Sequence, residues 1–160
     1  MWQRKRPEDI EKTLTGTRLR SYAFALLTRR EYSKHELSEK LKLYAIDPAE
    51  VDALVAEFAE SNYQSDQRVA ESMLASQVRK GKGLHRVKQA LEAKGLNSDL
   101  IADDLKDVDW LQQAYQLKIK KFGTEIAKDP KIKAKQIRFL QYRGFTMDVI
   151  LKAIKHQIDE

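Results

Sequence analysis

KGLNSDLIADDL, Lys94 to Leu105, places a cation and a glycine before an apolar residue, a capping residue and a helical run. YAIDPAEVDALV (Tyr44 to Val55) and RGFTMDVILKAI (Arg143 to Ile154) align with it without gaps. In each, a small residue (Ala45, Gly95, Gly144) can end one helix, glycine best because it accepts the left-handed conformation needed there. An apolar residue follows (Ile46, Leu96, Phe145), then a cap former (Asp47, Asn97, Thr146), then an inward position four residues on (Val51, Ile101, Ile150). Leu41, Leu91 and Leu140 stand four residues before the turns. Further upstream an A-x-x-(L/M) pattern, at Ala23/Leu26, Ala70/Met73 and Ala114/Leu117, supplies a first helix for each unit. The turns recur at 50 and 49 residues, so a unit of three helices occurs three times.

The same helical period holds elsewhere. Leu19, Tyr22, Ala23, Leu26 and Leu27 line one face, as do Val51, Leu54, Val55 and Phe58. Ser33 with Glu36 predicts a capping box; Asp47, Pro48 and Glu50 predict an N-cap, a preset first helical residue and a second capping box. Only 6 glycines and 3 prolines punctuate the 160 residues, which suits long helical stretches. The expected fold class is all-α: a tandem array of three three-helix repeats forming an elongated, curved solenoid-like chain. A basic and polar N-terminal extension is expected over 1–17, with repeats over 18–61, 62–109 and 110–160.

The net charge of +6 is unevenly placed. Residues 79–94 carry six cations against one carboxylate, 95–117 one against five, and 118–143 nine against two. Charge alternating in step with the repeats predicts a basic strip for an anionic polymer and an acidic strip for a basic protein surface. The basic strip comprises Arg29 and Arg30; Arg79, Lys80, Lys82 and Arg86; and Lys118, Lys120, Lys121, Lys133, Lys135, Arg138 and Arg143. The acidic strip comprises Asp99, Asp103, Asp104 and Asp107. Fourfold spacing is expected to put Asp99, Asp103 and Asp107 on one helix face, with Leu100, Ile101, Leu105 and Val108 on the buried side.

Signals for catalysis are missing. With no cysteine there is no disulfide, thiolate site or cysteine nucleophile. Gly81–Gly83 lacks the rest of a P-loop, and DDLKDVD (Asp103 to Asp109) lacks the glycine and terminal glutamate of a calcium loop. His35, His85 and His156 are far apart in polar, helical contexts and are expected to face solvent. No metal, cofactor or catalytic residue is expected, and the protein is not expected to be an enzyme. Tyr32, Tyr63, Tyr115, Phe122, Phe139, Tyr142 and Phe145 lie near basic segments where they can stack on bases, although helical spacing assigns most of them to the core. Without a leader-like or membrane-length apolar run, a soluble cytoplasmic monomer is expected.

Three blocks carry a family resemblance: LLTRREYSKHELSEKL (Leu26 to Leu41), NYQSDQRVAESMLASQVRKGKG (Asn62 to Gly83) and IRFLQYRGFTMDVI (Ile137 to Ile150). They resemble the signature blocks of the RecX family, bacterial regulators of the recombinase RecA, over nearly the whole chain. The middle block is the most specific: Tyr63, Asp66, Arg68, Ala70, Arg79, Gly81 and Gly83 match the family pattern, whereas Asn62, Gln64, Ser65 and Val69 depart from it. Ser65 can still serve as a cap. The resemblance implies tandem three-helix repeats and no catalytic residues. It also implies binding to RecA and the RecA-DNA filament, with suppression of ATP hydrolysis and strand exchange, hence a role in DNA repair, recombination and the SOS response. Free single- or double-stranded DNA is a further ligand to test. An independent DNA-binding protein of helix-turn-helix type is the alternative. Against it, the helix after Asn97 is acidic where a recognition helix needs Arg, Asn or Gln.

Overall fold

The structure, a computed structural model, describes residues 6–156. Residues 1–5 of the expected extension and 157–160 of the expected third repeat lie outside the described residues. Among the described residues there are nine α-helices and no strand, as the all-α expectation requires. They are α1 (Gly16–Arg29), α2 (Lys34–Lys42), α3 (Pro48–Glu60), α4 (Asp66–Arg79), α5 (Leu84–Ala93), α6 (Ala102–Asp107), α7 (Trp110–Phe122), α8 (Pro130–Tyr142) and α9 (Met147–Lys155). None of them is long and apolar enough to cross a membrane. The chain divides into two compact units, one running to Val69 and including 94–96, the other comprising 70–93 and the residues from Asn97 onward.

In the first unit α1, α2 and α3 close around Leu19, Ala23, Leu26, Leu37, Leu41, Val51, Val55 and Phe58. Leu19, Leu37, Leu41 and Phe58 are wholly buried, each side chain contributing about 2 kcal/mol by removal from water. Ser33 caps α2 in the expected box: its hydroxyl accepts from the Glu36 amide at 3.1 Å, and Glu36 accepts from the Ser33 amide at 3.2 Å.

The second expected box is not formed. Asp47 caps α3 by accepting from the Ala49 amide at 3.0 Å, but Glu50 turns away to take the Gly16 amide and, at 2.8 Å, the Thr15 hydroxyl. Glu50 thereby serves the free amides at the start of α1. Ahead of α1 the chain is strapped across the turn after α2. The Leu14 amide donates to Tyr44 and the Ile46 amide to Leu14, making a parallel bridge between Leu14 and Ala45. Extended backbone alternates its side chains, so Ala45 points in and Ile46 is 57% exposed, unlike Leu96 and Phe145 at the same place in the other repeats, which are buried.

The family-motif residues at the start of α4 hold this unit together. Asp66 accepts from the Lys34 amide at 2.9 Å and from Gln64 at 2.8 Å, and Arg68 pairs with Glu31 at 3.1 Å. Asn62 sits at φ 61, a left-handed position that asparagine tolerates among non-glycine residues. Ser65 caps α4 by accepting from the Arg68 amide at 3.2 Å.

In the second unit α7, α8 and α9 bury Ala114, Leu140, Phe145, Ile150, Ala153 and Ile154. Val87 and Leu91 of α5 are buried too, with Ile101 and Leu105. Asp109 and Asp129 cap α7 and α8 by accepting from the Gln112 and Lys131 amides, whereas Thr146 makes no cap bond to the backbone of α9.

Candidate nucleic-acid interface

The basic turn after α4 is built on glycine. The Gly81 amide donates to Val78 and the Lys82 amide to Gln77, with Gly81 at φ 74, so α4 ends in a Schellman motif. Helix α8 ends likewise: the Gly144 amide donates to Gln141 and the Phe145 amide to Leu140, with Gly144 at φ 96. The positive φ expected at Gly144, and at Gly95 where φ is 67, is therefore present.

These two turns dock main chain to main chain. The Gly83 amide donates to the Arg143 carbonyl at 2.8 Å and the His85 amide to the Gly144 carbonyl at 2.9 Å. Free amides at the start of α5 thus meet free carbonyls at the end of α8. A Cβ on Gly83 would overlap the Phe145 nitrogen and the Gly144 carbonyl; one on Gly144 would overlap Arg86. Close backbone approach, not chain reversal alone, requires glycine here.

Cations surround this joint. Arg86 donates through Nε (3.0 Å) and Nη2 (2.7 Å) to the Tyr142 carbonyl, and its guanidinium lies 5.0 Å from the Tyr142 ring centre. Arg143 donates to the Lys80 carbonyl at 3.1 Å and lies 5.5 Å from the Phe139 ring, with Lys121 at 4.4 Å from the same ring. Of the expected strip, Arg86, Lys121 and Arg143 are thus gathered around Phe139 and Tyr142, and Lys80, whose carbonyl receives Arg143, has an exposed side chain. Arg79, Lys120, Lys135 and Arg138 are exposed in the same unit, and Lys82 and Lys133 are half-buried. Arg29 and Arg30 belong to the first unit, where Arg30 covers the Tyr32 ring at 3.7 Å and pairs with Glu36 at 3.1 Å.

Lys118 is a correction. It is wholly buried and donates to the Glu125 carbonyl at 2.8 Å, with burial lowering its pKa, so its ammonium is turned inward and is not part of an exposed strip. The acidic run is corrected in phase. A 3-10 turn, Ser98–Ile101, precedes α6, so Asp99 lies outside the helix that carries Asp103, Asp104 and Asp107. Ile101 and Leu105 are buried as expected, but Leu100 is exposed and Val108 half-buried. Asp104 and Asp107 join Glu71 of α4 around a shallow groove of about 460 Å³ floored by Leu74, Val78 and Val108.

The histidines form no metal-binding group with other ligating residues among the described residues. His35 and His85 are exposed, while His156, expected in solvent, is half-buried with its ring edge-on to Tyr115 at 4.6 Å. Of the aromatics, Tyr32, Tyr115 and Phe145 are buried and Phe122 and Phe139 half-buried, but Tyr63 and Tyr142 are 50% and 74% exposed. Sequence reasoning left Tyr142 among probable core residues. Its spacing after Lys131, Lys135 and Arg138 (four, three and four residues) was the signal that it lies on the polar face of α8.

A related joint occurs in the first unit. Ser33 donates through Oγ to the Lys94 carbonyl at 2.7 Å, Lys94 Nζ lies 3.7 Å from Glu36, and a Cβ on Gly95 would lie 2.6 Å from His35 Cβ. Burial raises the Glu36 pKa, but the Ser33 amide, Arg30 and Lys94 outweigh it and hold the carboxylate below its ordinary range.

Three-helix repeats, with glycine turns at their helix ends and cations around one of the joints, define a helical-repeat protein. Three family models match: RecX first three-helix domain over residues 20–58, second over 65–105 and third over 107–154. The chain belongs to the RecX family. It is 64% identical over 156 residues to the regulatory protein RecX of Acinetobacter baylyi, covering 98% of both chains. It is 40% identical over 142 residues to that of Neisseria meningitidis serogroup C, covering 89% of this chain and 92% of the relative. The crystal structure of RecX from Lactobacillus salivarius shares the fold, with a TM-score of 0.74 at 19% identity over 86% of this chain and 92% of that one.

Proposed function

We propose that this chain regulates the recombinase RecA by binding RecA and the RecA-DNA filament, suppressing ATP hydrolysis and strand exchange and so modulating recombination and DNA repair. The observation that carries this reading is the joint between the turn after α4 and the end of α8. Arg86 and Arg143 there turn to main-chain carbonyls rather than to carboxylates, leaving their charge for an outside anion. Lys80, Lys82 and Lys121 add to that field, and a phosphate backbone gains affinity by releasing counterions to such a surface.

The groove rimmed by Glu71, Asp104 and Asp107 is the complementary face, suited to a basic protein surface and repellent to DNA. Its acidity also argues against α6 as a recognition helix in a helix-turn-helix. The repeat boundaries at 18–61, 62–109 and 110–160 and the full basic strip, less Lys118, are part of the proposal. The experiment is a titration into RecA on single-stranded DNA while ATP hydrolysis is followed. Hydrolysis should fall as the protein is added; hydrolysis that holds at saturating protein removes the reading.

A further inference from the structure

We infer that Tyr142 is a stacking platform for an unpaired base of single-stranded DNA, an assignment that rests on the filament reading above and specifies its ligand contact. Tyr142 is 74% exposed at the end of α8, where a ring left largely in solvent forgoes hydrophobic stabilisation that an apolar neighbour would supply. The other strongly exposed ring, Tyr63, is already committed: it packs edge-on to Phe24 at 5.1 Å and to Phe58 at 5.6 Å. Phe139 is covered by Lys121 and Arg143. The Tyr142 ring, by contrast, has the Arg86 guanidinium 5.0 Å from its centre and most of its surface in solvent.

That guanidinium is fixed, because two of its nitrogens donate to the carbonyl of Tyr142 itself. The ring of α8 and the cation of α5 are therefore held together at one main-chain carbonyl, a pairing that serves a base and its adjoining phosphate at once. Arg143, next in the chain, donates to the Lys80 carbonyl, and Lys131, Lys135 and Arg138 precede Tyr142 along the polar face of α8. At the helical rise these cations lead toward the ring over roughly 16 Å. The ligand is single-stranded because a duplex keeps its base faces stacked, and an exposed tyrosine can cover only a base that has come out of its stack.

The test uses the full chain and two probes of roughly 15 nucleotides, oligo(dT) and an abasic oligomer with the same phosphates but no bases. The protein should bind oligo(dT) more tightly than the abasic strand. Tyr142→Ala should lower oligo(dT) affinity about tenfold, Tyr142→Phe should stay within about twofold, and abasic affinity should be the same in all three. Because the ring is exposed, Tyr142→Ala keeps the fold, which circular dichroism verifies. An unchanged oligo(dT) affinity in Tyr142→Ala, an equal loss on both probes, or no preference of the parent for bases over abasic strand overturns the platform. RecA-dependent ATP hydrolysis followed in parallel separates the two readings. Inhibition by the parent protein together with any of those results removes only the platform; base-dependent binding through Tyr142 without inhibition removes the regulator.

Discussion

The two glycine joints occupy corresponding positions of the repeat and use opposite means. In the first unit side chains make the connection: the Ser33 hydroxyl reaches the Lys94 carbonyl, and the Glu36 carboxylate pairs with both Arg30 and Lys94. In the second, Gly83 replaces the serine fifty residues on and its own amide makes the bond, while Arg86 stands where Glu36 stood. A joint made by the main chain leaves its side chains free to hold uncompensated charge. One joint is an internal fastening; the other is a fastening that also presents cations.

The largest effect should come from closing the main-chain approach. Gly83→Ala sets a methyl group against backbone atoms that cannot move aside, and a loss of about 3 kcal/mol is expected in urea unfolding of the intact protein. A loss of only a few tenths of a kcal/mol would mean the joint is loose. Gly95→Ala meets a positive φ and the His35 side chain, so about 2 kcal/mol is expected. Here the obstacle is removable: His35→Gly should recover part of that loss in a double-mutant cycle, and zero coupling would show that φ strain acts alone.

Lys80→Glu with Lys82→Glu tests the charge on the second joint. Affinity for the RecA-DNA filament should fall by about 1.5 kcal/mol, roughly tenfold, and the salt slope by about two. A folded double mutant with the parental slope would place both groups away from phosphate.

Glu36→Gln tests the first joint through pH. The folded carboxylate has a depressed pKa, so the unfolded chain takes up its proton first on acidification. The advantage of Glu36 over glutamine, about 1 kcal/mol at neutral pH, should vanish as pH falls below the ordinary glutamate range and through the depressed folded value. A pH-independent gap would assign the effect to the cap alone.

The smallest effect is expected from Asp104→Lys with Asp107→Lys, both exposed, at a few tenths of a kcal/mol in stability. Binding to bare DNA should stay or strengthen while inhibition of RecA weakens; parental inhibition would leave the groove without a protein partner.

Local signals were legible because they act within one helical turn. Ser33 with Glu36, the caps at Asp47 and Asn97, and the glycines at 95 and 144 all exert their effect through bonds spanning a few residues, and each is found in place. Glu50 illustrates the limit. Its spacing after Asp47 reads as a capping box, yet an amide 34 residues upstream claims it, and nothing local announces that competitor. Lys118 reads as one cation among nine until the fold closes over it, and Ile46 matches Leu96 and Phe145 in the repeat until the strap imposes the alternation of extended chain. The 3-10 turn at Ser98–Ile101 shifted the phase of the acidic run because tertiary packing sets where regular helix begins. The basic strip was legible as charge but not as architecture: that Arg86 and Arg143 end on carbonyls follows from the docking of two turns distant in sequence.

The strap before α1 gives the first unit a layered response to opening. Thr13 and Leu14 hold Tyr44, Ile46 holds Leu14, and Glu50 of α3 holds the first residue of α1; none of these bonds is a rung within a helix. Lifting the strap breaks these bonds, the Lys12 bond to the Lys42 carbonyl and the packing of Leu14 on the core, while the faces of α1, α2 and α3 stay packed on one another. In native-state hydrogen exchange the amides of Leu14, Gly16 and Ile46 should therefore escape through a small, nearly denaturant-independent fluctuation, while those in the middle of α3 await global unfolding. Cleavage after Lys12 by a protease would follow that same early fluctuation and report its population directly.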